Sequence, residues 1–153
     1  MTSLHFTAAA GKVHRPYLPY LKRWLPKSVA LIKRPPVEVS IVLVGDKKMA
    51  ELHQQFMNIP GTTDVLTFEL DHDTRGRCTA GEVVVCVPYA RREAALRKIA
   101  PRTELLLYAL HGILHLSGFD DLTPAEHRRM HREEDRILTA VGIGAVFAKP
   151  ASR

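Results

Sequence analysis

Leu110-His111-Gly112-Ile113-Leu114-His115-Leu116-Ser117-Gly118-Phe119-Asp120-Asp121 is the stretch on which the reading of this chain turns. His111 and His115 are four apart, which on a helix sets both imidazoles on one face, about one turn from each other. Leu110, Ile113 and Leu114 then point elsewhere and can anchor the helix in a core. Gly118 permits the positive φ of a tight turn, so the chain can reverse directly after the helix. A residue six beyond His115 then swings back towards the two imidazoles, and Asp121 stands there. Imidazole nitrogen and carboxylate oxygen both ligate zinc at roughly 2.0–2.2 Å, and three protein ligands leave the fourth position open, as catalytic sites do.

The same spacing occurs in the H-E-x-x-H-x-x-G-x-x-H zinc proteases, with Gly three and the third ligand six beyond the second His. Gly112 replaces the glutamate that serves those proteases as base, so peptidase chemistry of that type lacks its proton acceptor. His127 and His131, again four apart, are rivals for the third position. Arg128, Arg129 and Arg132 surround them, which fits a solvated helix, and Asp121 is the preferred ligand. One Zn2+ per chain, held by His111, His115 and Asp121 at the end of a helix, is the expectation. Asp120 beside them is a candidate for holding a ligand in place by hydrogen bonding, or a plain turn cap.

Working outward, residues 101–116 read as a helix opened by Pro101. Thr123-Pro124-Ala125-Glu126 opens the last helix, with Thr123 as cap and Glu126 placed for a capping box. Upstream, residues 82–87 (EVVVCV) form a nearly continuous apolar run and predict a central strand, followed by a helix from Pro88 to about residue 99. Residues 37–44 and 65–70 predict two further strands, and residues 46–54 a short helix capped by Asp46. Residues 16–32 carry apolar side chains at helical spacing, with a break expected near Pro26. Residues 1–14 read as a loose end. The sum is an α/β (α+β) fold, a single domain over residues 1–153 in which a small mixed sheet is packed by helices.

The length suits one domain, and no apolar run approaches the roughly 20 residues that span a bilayer, so no membrane partner is expected. Cys78 and Cys86 form no CxxC pair and read as unreactive thiols in a reducing compartment. The net charge of +6 is lopsided: no acidic residue precedes Glu38, while Lys12, Arg15, Lys22, Arg23, Lys27, Lys33 and Arg34 do. A one-sided basic segment suits a polyanion, nucleic acid first, with Lys22, Arg23 and Lys27 as candidate RNA contacts; a solvated helix face is the plainer account.

Residues 111–121 resemble the H-G-x-L-H-L-x-G-[FY]-D-H signature of the YbeY family, bacterial rRNA-maturation endoribonucleases, at every fixed position but the last. Residues 63–68 (TDVLTF) are similar to that family's TDVLSF strand, and residues 81–85 (GEVVV) to its G-[DE]-[IV]-x-[IV] strand. Order and spacing also fit, over roughly residues 37–140. The resemblance implies a zinc-bound α/β fold, a cytoplasmic location, association with the small ribosomal subunit, and hydrolysis of single-stranded RNA in 16S rRNA maturation and ribosome quality control. Two departures stand out. Asp121 occupies the place of the family's usual third His, and an anionic ligand dampens Lewis acidity relative to three neutral imidazoles. Met57 occupies the place of a frequent Arg, so a phosphate contact would have to come from elsewhere, with Arg75 and Arg77 as candidates. A non-catalytic ribosome-assembly factor with a structural metal is the alternative.

Overall fold

The computed structural model, which describes residues 1–9 and 11–147, is built on a four-stranded mixed sheet. Its strands are β1 (Ser3–Ala8), β2 (Glu38–Val44), β3 (Val65–His72) and β4 (Cys78–Cys86), in the spatial order β1-β2-β4-β3. β1 runs parallel to β2 and β2 parallel to β4, whereas β3 is antiparallel to β4. The apolar run expected as a central strand over residues 82–87 is one through Cys86, with Val87 already opening the next helix: Val83 and Val85 face one side of the sheet, Val84 and Cys86 the other. Both faces are covered, which is why the run does not alternate with polar residues.

The larger layer consists of α1 (Leu18–Val29), α4 (Pro101–Leu116) and α5 (Pro124–Ala140), with α3 (Val87–Arg97) beside α4. On the opposite face α2 (Asp46–Met57) inserts Met49 between Val44, Leu66 and Val84. The expected α+β arrangement is what is found. None of the described helices is long and apolar enough to cross a membrane.

Residues 1–14, expected to be loose, instead contribute β1. Leu4 and Phe6 turn inward in alternation, and Ser3 N–H and Ala9 N–H donate to Val37 and Leu43 carbonyls at 2.8 Å. An edge strand buries only one face, so two apolar residues suffice, and that signal is too short to read against a polar background. The break expected near Pro26 is also absent, since α1 runs through it. The missing N–H costs about 3 kcal/mol. Leu21, Leu25 and Val29 on the same helix are almost wholly buried, at roughly 1.5–3 kcal/mol apiece, and outweigh that cost.

Asp46, expected to cap α2, follows the actual N-cap Gly45. Its carboxylate accepts two hydrogen bonds from the Arg92 guanidinium, each 2.9 Å long, and so ties α2 to α3. The α5 capping box is formed as read: Glu126 N–H donates to Thr123 Oγ1 at 3.1 Å and Thr123 N–H to Glu126 Oε1 at 3.0 Å. Both cysteines are free, and burial raises each thiol pKa, which suits the unreactive reading.

Candidate metal centre

α4 carries the site because it is fixed from both sides. Leu105, Leu106, Leu110, Ile113 and Leu114 are fully buried, so the helix has no freedom to rotate its histidine face. Gly112 is the point of closest approach to the sheet. A Cβ there would lie 2.5 Å from Val83 Cγ1 and 3.1 Å from Thr67 Cγ2, which leaves no room for the glutamate of a zinc protease. Glu104 and Tyr108, on earlier turns of the same helix, are buried in packing, and burial pushes the Glu104 carboxyl pKa up.

α4 ends where Gly118 takes φ +104°, with Gly118 N–H donating to His115 O at 3.1 Å and Phe119 N–H to Leu114 O at 3.0 Å. The chain then reverses and brings Asp121 back. His111 Nε2 and His115 Nε2 lie 3.1 Å apart, and Asp121 Oδ2 is 3.3 Å from the first and 3.4 Å from the second. Ligand atoms around a tetrahedral ion at roughly 2.0–2.1 Å are themselves about 3.3–3.4 Å apart. The three donors thus already form one face of such a tetrahedron, and His111, His115 and Asp121 are able to hold a metal ion.

His127 and His131 do not join that face. Their Nε2 atoms lie 2.8 Å from each other, and the His131 ring is stacked on Phe147. They connect to the centre through Glu134, a residue sequence reasoning missed. Its buried carboxylate accepts from His111 Nδ1 through Oε2 and from His131 Nδ1 through Oε1, both at 2.9 Å. With Nδ1 donating, the His111 lone pair sits on Nε2, facing His115 and Asp121. The demand for such an acceptor was legible in principle, because a part-buried ligand His needs one. Three consecutive acids, Glu133 to Asp135, gave no way to choose among them. Asp120, the sequence candidate for that orienting role, is exposed.

Burial of the His111 ring disfavours its charged form, but the hydrogen bond and charge of Glu134, joined by Asp121 and Asp64, together hold its pKa above the ordinary 6.5. A field that retains a proton there also favours a cation in its place. Asp64 meanwhile caps β3, its Oδ1 accepting from Val65 N–H at 2.7 Å. Glu134→Gln should lower metal affinity about 10- to 100-fold. Metal titration of the variant against the parent checks this, and unchanged affinity would remove Glu134 from the centre.

Of the basic residues singled out from sequence, Arg77 reaches the site. It lines a cavity of about 190 Å³ together with Arg34 and the ligand candidate His115. Arg75 is absent from that lining, its backbone N–H being tied to Asp73 Oδ1 at 2.8 Å. Lys22, Arg23 and Lys27 lie on α1 and do not line it either. Met57 ends α2 with its side chain exposed.

Two imidazoles and one carboxylate at the end of a buried helix, with a cavity beside His115, make this an α+β protein with a three-donor group able to hold a metal ion. A profile of the family described as Endoribonuclease YbeY matches residues 12–142. The Endoribonuclease YbeY of Thermobifida fusca is 40% identical over 116 residues, 71% of this chain and 75% of that protein. The one of Mycobacterium marinum is 37% identical over 113 residues, 68% of this chain and 64% of the relative. A solution structure of a Thermotoga maritima protein superposes with a TM-score of 0.60 over 98% of this chain and 99% of that one, a likeness of fold at 24% identity. The chain belongs to the YbeY family, as its motifs imply.

Proposed function

We propose that this chain is a zinc-dependent endoribonuclease that cuts single-stranded RNA, acting on 16S rRNA precursors at the small ribosomal subunit in the cytoplasm. The observation that carries the reading is that His115, one corner of the His111–His115–Asp121 face, lines a cavity shared with Arg34 and Arg77, whose two cations outnumber the single acid there, Glu69. His111 Nε2, left free to ligate by the hydrogen bond from its Nδ1 to Glu134, joins His115 Nε2 and an Asp121 carboxylate oxygen in a donor set suited to zinc. When bound there, the ion supplies Lewis acidity towards a phosphate and a nucleophile at neutral pH. Glu134 keeps the His111 ring in the required tautomer. Arg34 and Arg77 hold the phosphate group beside His115 through charge-assisted hydrogen bonds, taking the part left vacant by Met57.

The cavity argues against a purely structural metal, whose coordination is closed by protein. The packing of Gly112 against Val83 and Thr67 argues against a protease. The test is steady-state cleavage of a single-stranded ribo-oligonucleotide. Arg34→Ala and Arg77→Ala should each raise KM about ten-fold while metal content stays at the parent level. A KM unchanged in both variants would mean that the phosphate is held elsewhere.

A further inference from the structure

At the opposite end of α4 from the metal centre lies a larger cavity, about 940 Å³, walled by Tyr17, Tyr20 and Trp24 on one side and Pro101 and Arg102 on the other. Tyr20 and Trp24 are four apart on α1, with ring centroids 6.3 Å apart and planes inclined at 52°. Both rings are only half-buried although they pack against the core, so α1 presents them without enclosing them. Cations sit over both: the Arg102 guanidinium is 5.0 Å from the Tyr20 centroid, and Arg23 and Lys27 are 5.0 Å and 4.8 Å from that of Trp24. No acidic residue is among the described residues lining the cavity, and none precedes Glu38 in the chain.

An apolar ligand would have no use for Arg23 and Arg102 in the wall or for Lys27 over the Trp24 ring, and an acidic protein segment would have little use for the aromatic platform. A single nucleic-acid strand offers π-faces and phosphates together, which is the pairing that aromatic rings beside Arg and Lys recognise. We infer that this groove is a base-stacking subsite for single-stranded RNA, with Tyr20 and Trp24 as the stacking faces and Arg23, Lys27 and Arg102 on the flanking phosphates. The inference rests on the RNA reading above and adds where the strand lies. From Arg102 to His111 the helix rises about 14 Å, so the subsite and the metal centre are separated by on the order of four stacked nucleotides or more.

Trp24 is the only tryptophan of the chain, so its emission reports on this groove alone. Metal-loaded protein should be titrated with 2′-O-methyl decauridylate, chosen to slow cleavage, while an end label on the same probe reports total binding by anisotropy. Saturable quenching of Trp24 is expected to track the anisotropy. Tyr20→Ala and Arg102→Ala should each raise Kd about five-fold or more. Arg102→Ala should also lower the log–log salt slope by about 0.7, the effect of one phosphate no longer neutralised. Because Arg102 is exposed, its variant keeps the test meaningful even if Tyr20→Ala folds poorly. Anisotropy that saturates while Trp24 emission stays constant would overturn the groove and leave the RNA reading standing. Equal quenching by a deca-glutamate peptide would assign the groove to acidic protein segments. A flat anisotropy titration would remove the RNA reading itself.

Discussion

His111→Ala and His115→Ala are each expected to take the metal content of the purified protein from about one zinc per chain to near zero. The reason is geometric. Three donor atoms separated by 3.1, 3.3 and 3.4 Å close one face of a tetrahedron, and removing either imidazole leaves an edge. Two protein ligands on a partly exposed site compete poorly with water for zinc. Asp121→Ala should weaken binding as well, because its Oδ2 is the third corner of that face. His127→Ala should leave the metal content unchanged, since its Nε2 faces His131. Elemental analysis of the four variants decides the matter. Full zinc content in both His111→Ala and His115→Ala would place the metal elsewhere, and zinc loss in His127→Ala alone would move it to α5.

Gly112→Glu should be the most damaging single change in the site, although it recreates the H-E-x-x-H core of the zinc-protease motif. The position is buried where α4 touches the sheet, and even a Cβ would meet Val83 Cγ1 at 2.5 Å. A glutamate there must displace the helix and leave its charge without water, a cost of roughly 4 kcal/mol or more. That consumes much of the roughly 5–15 kcal/mol that a domain of this size typically has. Gly112→Ala gives the sharper comparison. Within a helix, Gly→Ala ordinarily stabilises by about 1 kcal/mol. Here Val83, β-branched and held in a central strand, cannot easily turn aside, and overpacking of roughly 1–3 kcal/mol should reverse the sign. Urea denaturation measures both variants. A Gly112→Ala protein more stable than the parent would show that helix and sheet are not in close contact at this point.

These two results probe what the sequence made visible and what it did not. The i, i+4 histidines, the Gly118 turn and the return of Asp121 were legible because each follows from local backbone geometry over a dozen residues. So were the central strand, whose apolar half is residues 82–86, and the capping box at Thr123, which depend on short-range pattern and on one side chain meeting a nearby N–H. What escaped depends on packing across the fold. Ser3–Ala8 becomes a strand because β2 offers it an edge, and α1 survives Pro26 because its buried face outweighs one missing hydrogen bond. Glu134 meets His111 across 23 positions of sequence, and Arg34 joins Arg77 at the His115 cavity through the packing of distant segments. The absence of a glutamate at position 112 could be noted from the sequence. Its cause, the closeness of Val83 and Thr67, could not.

Cleavage of an end-labelled single-stranded RNA, run beside its duplex, tests the central claim most directly. The protein should cut the single strand and spare the duplex, lose that activity on chelation, and recover it when zinc is restored. His111→Ala should stay inactive under all of these conditions, because its donor set no longer closes around an ion. Cleavage that persists through both chelation and His111→Ala would contradict the account, as would a fully zinc-loaded protein that leaves the RNA intact.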